Sequence, residues 1–152
     1  MIYLSGGSPA VLADTLRETG LWPAIVAAWR SGAALAGCSA RAMALADRVP
    51  DLRNPGGGSR RGLGLLPHVR VLPHFDKMIG RVPDVLTRPF FGTTDGVSLV
   101  GVDEVTALVS GPHDFTVYGR QSAWLLSDGR RQQYPAGTRM HLPSRPVSEP
   151  DK

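Results

Sequence analysis

The sequence predicts an α/β fold in which a sheet carries helices on both faces and ends in antiparallel hairpins. Three observations predict it. Short apolar runs alternate with helical patterns through the first half, each strand-to-helix junction is built from small residues, and glycine-punctuated strands fill the second half. Ile2-Tyr3-Leu4 is the first apolar run, closed by Gly6-Gly7, and Ser8-Pro9 then supplies a helix cap and a proline at the first helical position. Val11, Leu12 and Leu16 fall on one face of that helix, and Gly20 stops it in the left-handed conformation. A second helix is expected from Pro23 to Arg30, ended by Ser31-Gly32. Ala33 to Ala36 reads as a strand buried on both faces, followed by Gly37-Cys38-Ser39 and a helix from Ala40 to Ala46 in which Ala40, Met43 and Ala44 can pack closely.

Pro50 to Gly62 is loop by composition, and it is the segment expected to move most. Strands are expected at Val69 to Phe75 and Val97 to Val102, with a short helix from Pro83 to Phe91 between them. Further short strands follow at Thr106 to Ser110, Phe115 to Tyr118 and Ala123 to Leu126, with turns at Gly111, Gly119 and Gly129. The chain reads as one domain over residues 1–143, with 144–152 a disordered tail of Pro, Ser and charge.

Composition narrows the function. With 42% apolar and 20% charged residues the 152-residue chain is an ordinary globular protein. No run approaches the roughly 18 apolar residues of a membrane span, and the start MIYLSGG lacks the basic flank of a secretory signal, so a cytoplasmic protein without membrane contact is expected. The single Cys38 excludes an internal disulfide and a multi-cysteine zinc site, and no metal or cofactor is implied. Net charge is +4, but the arginines are scattered and no nucleic-acid motif accompanies them.

The most informative feature is a serine at the junction of a strand and a helix of small residues. Such a turn lifts the side chain above the sheet edge, and the expected pattern is G-x-S-x-G. Here it is Gly37-Cys38-Ser39-Ala40-Arg41, with arginine in the last glycine's place. One residue earlier, Ala36-Gly37-Cys38-Ser39-Ala40 centres on Cys38, so a cysteine nucleophile competes, and a plain turn with Ser39 as N-cap competes with both. Of four histidines, His74 ends an apolar strand, whereas His68 and His113 read as surface residues. Asp103-Glu104 closes the next strand, and either carboxylate suits the orienting role beside an imidazole. Gly6-Gly7 is bare enough to offer backbone N–H groups to an oxyanion, with Cys38 or Ala40 as a further donor.

Together these residues resemble the cyanophycinase and aspartyl dipeptidase family of serine peptidases. The matching pieces run in order as YLSGGSPAVLADTL, AGCSARAMAL, GLGLLPHVRVLPHFDKM and LVGVDEVTALV, covering Met1 to about Leu142. The resemblance implies a partial class I glutamine amidotransferase-like (flavodoxin-like) sheet and a triad of Ser39, His74 and Glu104, favouring Glu104 over Asp103. It also implies Gly6 and Gly7 at the oxyanion site and short, aspartate-containing peptides as substrates, which Arg41, Arg60 or Arg61 would hold. A homodimer is compatible with it. The family pattern G-x-S-A-G-A meets Arg41 at its second glycine, where a bulky residue is expected to impair the turn, and family members carry further strand and helix units before the segment equivalent to YLSGG. Two alternatives follow: a non-catalytic remnant that binds a protein partner through an unpaired sheet edge, and a Cys38-dependent amidotransferase-like hydrolase.

Overall fold

The computed structural model describes residues 1–50, 59–78, 97–109, 114–127 and 129–142. The expected helix from Pro83 to Phe91, His113 and the tail from residue 144 lie outside them. The fold is mixed α/β. The strand β1 (Ile2–Leu4) leads through Ser5 to Ser8 into the helix α1 (Pro9–Glu18), and α2 (Leu21–Arg30) precedes β2 (Leu35–Gly37) and the short α3 (Ala40–Ala44). Next come β3 (Arg48–Pro50), β4 (Ser59–Arg61), β5 (Val69–Pro73), α4 (Phe75–Met78) and β6 (Ser98–Val102). The chain then continues through β7 (Thr106–Val109), β8 (Asp114–Gly119), β9 (Ser122–Ser127), β10 (Arg130–Pro135) and β11 (Arg139–His141).

Several boundaries differ from the sequence expectation for local reasons. Ser8 sits at the cap of α1 with extended backbone, yet its hydroxyl makes no capping bond. The buried face of α1 is Ala10, Ala13 and Leu16, while Val11 is exposed. Gly20, at φ +68°, both closes α1 and opens α2, so α2 begins at Leu21 and Pro23 falls in its first turn, where no intrahelical N–H is needed. The polar stretch expected to be loop contains β4 and the last residue of β3, and the two strands pair antiparallel with Arg48 opposite Arg61. Among the described residues β2 pairs only with β1, which leaves it half-buried rather than buried on both faces.

Two parallel pairs organise the molecule. β1 and β2 lie parallel with Leu4 opposite Gly37, and β5 and β6 lie parallel with Pro73 opposite Val102. The four-stranded sheet runs β10-β9-β6-β5, its antiparallel part supplied by β9 and β10, and β11-β8-β7 forms a separate antiparallel sheet. One core gathers Val69, Val71, Val100, Phe115, Val117, Ala123, Met140 and Leu142 between these sheets. A second joins Leu4, Ala13, Leu16, Ile25, Ala44, Leu45 and Leu63, fixing α1, α2 and α3 against β1. No helix among the described residues is long and apolar enough to cross a membrane.

Candidate active site

Parallel strands deliver their carboxyl ends to the same edge, and here each pair delivers two loops. β1 ends in Ser5-Gly6-Gly7 and β2 in Cys38-Ser39, while β5 ends in His74 and β6 in Asp103-Glu104. The structure brings Ser39, His74 and Glu104 together. Ser39 Oγ lies 2.8 Å from His74 Nε2, and His74 Nδ1 lies 3.3 Å from Glu104 Oε1. With Nδ1–H directed at the carboxylate, Nε2 is the acceptor for the serine hydroxyl, a tautomer assigned from these partners.

Ser39 precedes α3 at the N-cap position, but its side chain makes no capping bond and is engaged with His74 instead. Its backbone, at φ +53° and ψ −123°, is the strained turn that presents the hydroxyl. Gly37 makes that turn sterically possible. A Cβ there would sit 3.0 Å from the Arg41 carbonyl group and the Ala42 nitrogen. Among the described residues only Ser39, His74 and Val105 are non-glycine residues with positive φ, at +53°, +53° and +55°. Two are site residues and the third follows Glu104. For a β-branched residue such as Val105 this conformation is a genuine outlier, and strain of this kind concentrates where geometry serves chemistry.

The two acidic residues after β6 take different positions. Asp103 is buried at 7% exposure, and its carboxylate accepts the Trp124 indole N–H, 3.0 Å from each oxygen, and the Ser122 amide at 3.2 Å. Glu104 faces His74, its second oxygen 3.8 Å from Lys77 Nζ, and its own N–H donates to Asp76 Oδ1 at 2.9 Å. Behind them Phe75 packs on Trp124 with ring centroids 5.8 Å apart. The neighbour of His74 and the neighbour of Glu104 are thus joined through one indole ring.

The residues expected around an oxyanion separate likewise. Gly6 and Gly7 form the turn after β1 at φ +73° and +75°. The Cys38 N–H donates to the Leu4 carbonyl at 3.2 Å in the β1–β2 ladder, so it is spent and Ala40 is left as the elbow donor. The Cys38 thiol is exposed rather than turned inward, and its hydrogen bond to the Tyr3 hydroxyl raises the Tyr3 pKa above its ordinary value. Arg41 lies in α3 and is not among the residues with positive φ, so its backbone does not need a glycine. Its guanidinium lies across the Gly6-Gly7 turn and donates to the carbonyls of Ser8 at 3.0 Å and Ser5 at 3.4 Å. Arg60 pairs with Asp14 at 2.9 Å. His141 pairs with Asp114 at 2.8 Å across β8 and β11. No group of three or more metal-ligating side chains is present among the described residues.

Residues 1–117 match Peptidase family S51, a span that takes in Ser39, His74 and Glu104. The chain belongs to peptidase family S51. Among solved structures it is similar to a peptidase from an acI-B1 actinobacterium, at 42% identity and a TM-score of 0.77 over 92% of this chain. The chain spans 58% of the length of that peptidase. No curated protein matches it significantly.

Proposed function

We propose that this S51 chain is a serine-type peptidase with Ser39 as nucleophile, His74 as general base and then acid, and Glu104 as the group that orients the imidazole. The contact of Ser39 Oγ with His74 Nε2 at 2.8 Å carries the reading. As Ser39 attacks a peptide carbonyl carbon, its proton passes to His74 Nε2 and negative charge develops on the carbonyl oxygen. The amides of Gly6, Gly7 and Ala40 are the donors proposed for that oxygen. His74 then protonates the leaving amine, an acyl-serine remains, and a water molecule activated by the same imidazole releases the acid. Glu104 holds the ring and stabilises the transient imidazolium.

The distribution of strain supports the same reading. A binding module has no use for left-handed backbone at a serine and a histidine that touch, whereas a nucleophile turned out of its sheet requires it. Short peptides containing aspartate are the proposed substrates, a choice supported by the motif resemblance. The test compares Ser39→Ala with Cys38→Ala in hydrolysis of aspartyl dipeptides and in labelling by a fluorophosphonate. Ser39→Ala is expected to abolish both, with a loss of turnover on the order of 10⁴ to 10⁶, and Cys38→Ala to keep most of each. Because the thiol is exposed beside Ser39, inactivation of the parent by an alkylating reagent does not decide between them. Loss of turnover in Cys38→Ala with retention in Ser39→Ala would assign the chemistry to cysteine.

A further inference from the structure

The one charged side chain in the Ser39 turn segment, Arg41, stands where the resembled pattern has glycine, and the structure shows what it touches. Its Nη1 donates to Ser8 O at 3.0 Å and its Nε to Ser5 O at 3.4 Å, bracketing the two glycines between those carbonyls. Nη2 lies 2.8 Å from where a Cβ on Gly7 would be, so the guanidinium rests directly against the Gly7 backbone. Consecutive glycines at φ +73° and +75° form a backbone with few steric restraints, and a turn made of them has no side chains with which to hold itself. A planar guanidinium with donors in a fixed fork suits this task in a way an ammonium does not.

We infer that Arg41 is a positioning residue that clasps the Gly6-Gly7 turn to the Ser39 elbow and fixes the spacing between the turn amides and the serine oxygen. The inference rests on the Ser39 reading and extends it to how the oxyanion donors are held. The clasp starts two residues after the nucleophile, on the helix that Ser39 precedes, so any shift of the elbow carries the turn with it. Arginine at this position therefore supports the site, and glycine there is expected to lower turnover.

Arg41→Gly and Arg41→Ala are expected to lose about 10- to 100-fold in kcat with little change in KM, since displacement of about 1 Å at such a site costs on that order. Arg41→Lys keeps the bulk and charge but reaches one carbonyl at a time, and should recover only part. Guanidinium added at tens of millimolar, on the order that fills a vacated arginine slot without denaturing the domain, should raise the rate of Arg41→Gly in a saturable way, and methylammonium should not. In amide relaxation measurements, which need no turnover, the order parameters of Gly6 and Gly7 should fall in Arg41→Gly. Parent-like kcat and order parameters in Arg41→Gly would overturn the clasp while leaving Ser39 in place. A loss that tracks Tm and that guanidinium does not relieve would overturn it too. Full turnover in Ser39→Ala would remove the nucleophile and this inference with it.

Discussion

Gly101, next to the last residue of β6, tests how the core holds His74. A Cβ built on it would lie 2.6 Å from Phe75 Cγ and 2.8 and 3.0 Å from the two Cδ atoms. Non-bonded carbons rest at about 3.5–4.0 Å, so Gly101→Ala forces the ring back by about 1 Å. The ring has little room to retreat. Phe75 is 1% exposed, with Leu126 at 0% in the same cluster and Trp124 packed against it at a tilt. Overpacking of this kind costs about 1–3 kcal/mol. With an m-value of about 2 kcal/mol/M, the urea midpoint should fall by about 0.5–1.5 M. Phe75 is covalently next to His74, so the displacement reaches the imidazole, and a shift of about 1 Å there should cost about 100-fold in kcat. Tryptophan fluorescence in urea reads the first effect and peptide hydrolysis the second. Adding Phe75→Leu to Gly101→Ala should return part of both, because the two sites touch and their effects are coupled. A Gly101→Ala protein with the parent's midpoint and the parent's kcat would refute the slot.

Trp124→Phe keeps most of the ring packing but removes the indole N–H from Asp103. A buried carboxylate is left, among the described residues, with the Ser122 amide, and the expected cost is about 1.5–3 kcal/mol in urea unfolding; a cost below about 0.5 kcal/mol would show that Asp103 does not depend on it. In a spectrophotometric titration the Tyr3 phenol should ionise above the ordinary tyrosine value of about 10, because its hydrogen bond with Cys38 holds the proton and charge on a Cys38 thiolate opposes a phenolate. A raised folded-state value means the stabilisation is complete below the unfolded pKa and disappears as pH climbs through the folded one. Cys38→Ala should bring the Tyr3 transition down, and an unmoved transition would separate the two groups.

Much of the site was legible because parallel strands impose a simple rule: groups just past their carboxyl ends share an edge. Ser39, His74 and the Asp103-Glu104 pair each follow an apolar run, and the structure brings the expected three side chains into contact. The residues alone left Asp103 and Glu104 undecided, for a physical reason. What separates them is Trp124, which β9 carries back antiparallel to β6 and whose indole fixes Asp103 in the interior. Long-range pairing of that kind leaves no local signal. The strands β10 and β4 were missed because RRQQYP and SRR lack apolar alternation, and their residues are mostly exposed. The fold of the Arg41 side chain was hidden too, since a sequence shows which residue replaces glycine and not what its far end reaches.

Backbone strain and core packing are arranged here as opposing forces at the same three places. Each left-handed non-glycine residue costs about 1–3 kcal/mol and would relax if its surroundings allowed. At Ser39 the opposition comes from Gly37, whose missing Cβ lets the strand approach α3 closely enough to keep the turn shut. At His74 it comes from Phe75, seated in the space left by Gly101. At Val105 it comes from Gly119 and Arg120: a Cβ on Gly119 would fall 2.1 Å from the Val105 oxygen, and the Arg120 N–H donates to that oxygen at 2.9 Å. In every case a glycine, two residues earlier at Ser39 and on another strand at His74 and Val105, opens the space, and a packed or hydrogen-bonded group keeps the strained residue from relaxing. Packing alone would be served better by residues that favour positive φ at positions 39, 74 and 105. Side chains that must meet at 2.8 and 3.3 Å, from three separate loops, need their backbones aimed, and that requirement accounts for where the strain lies.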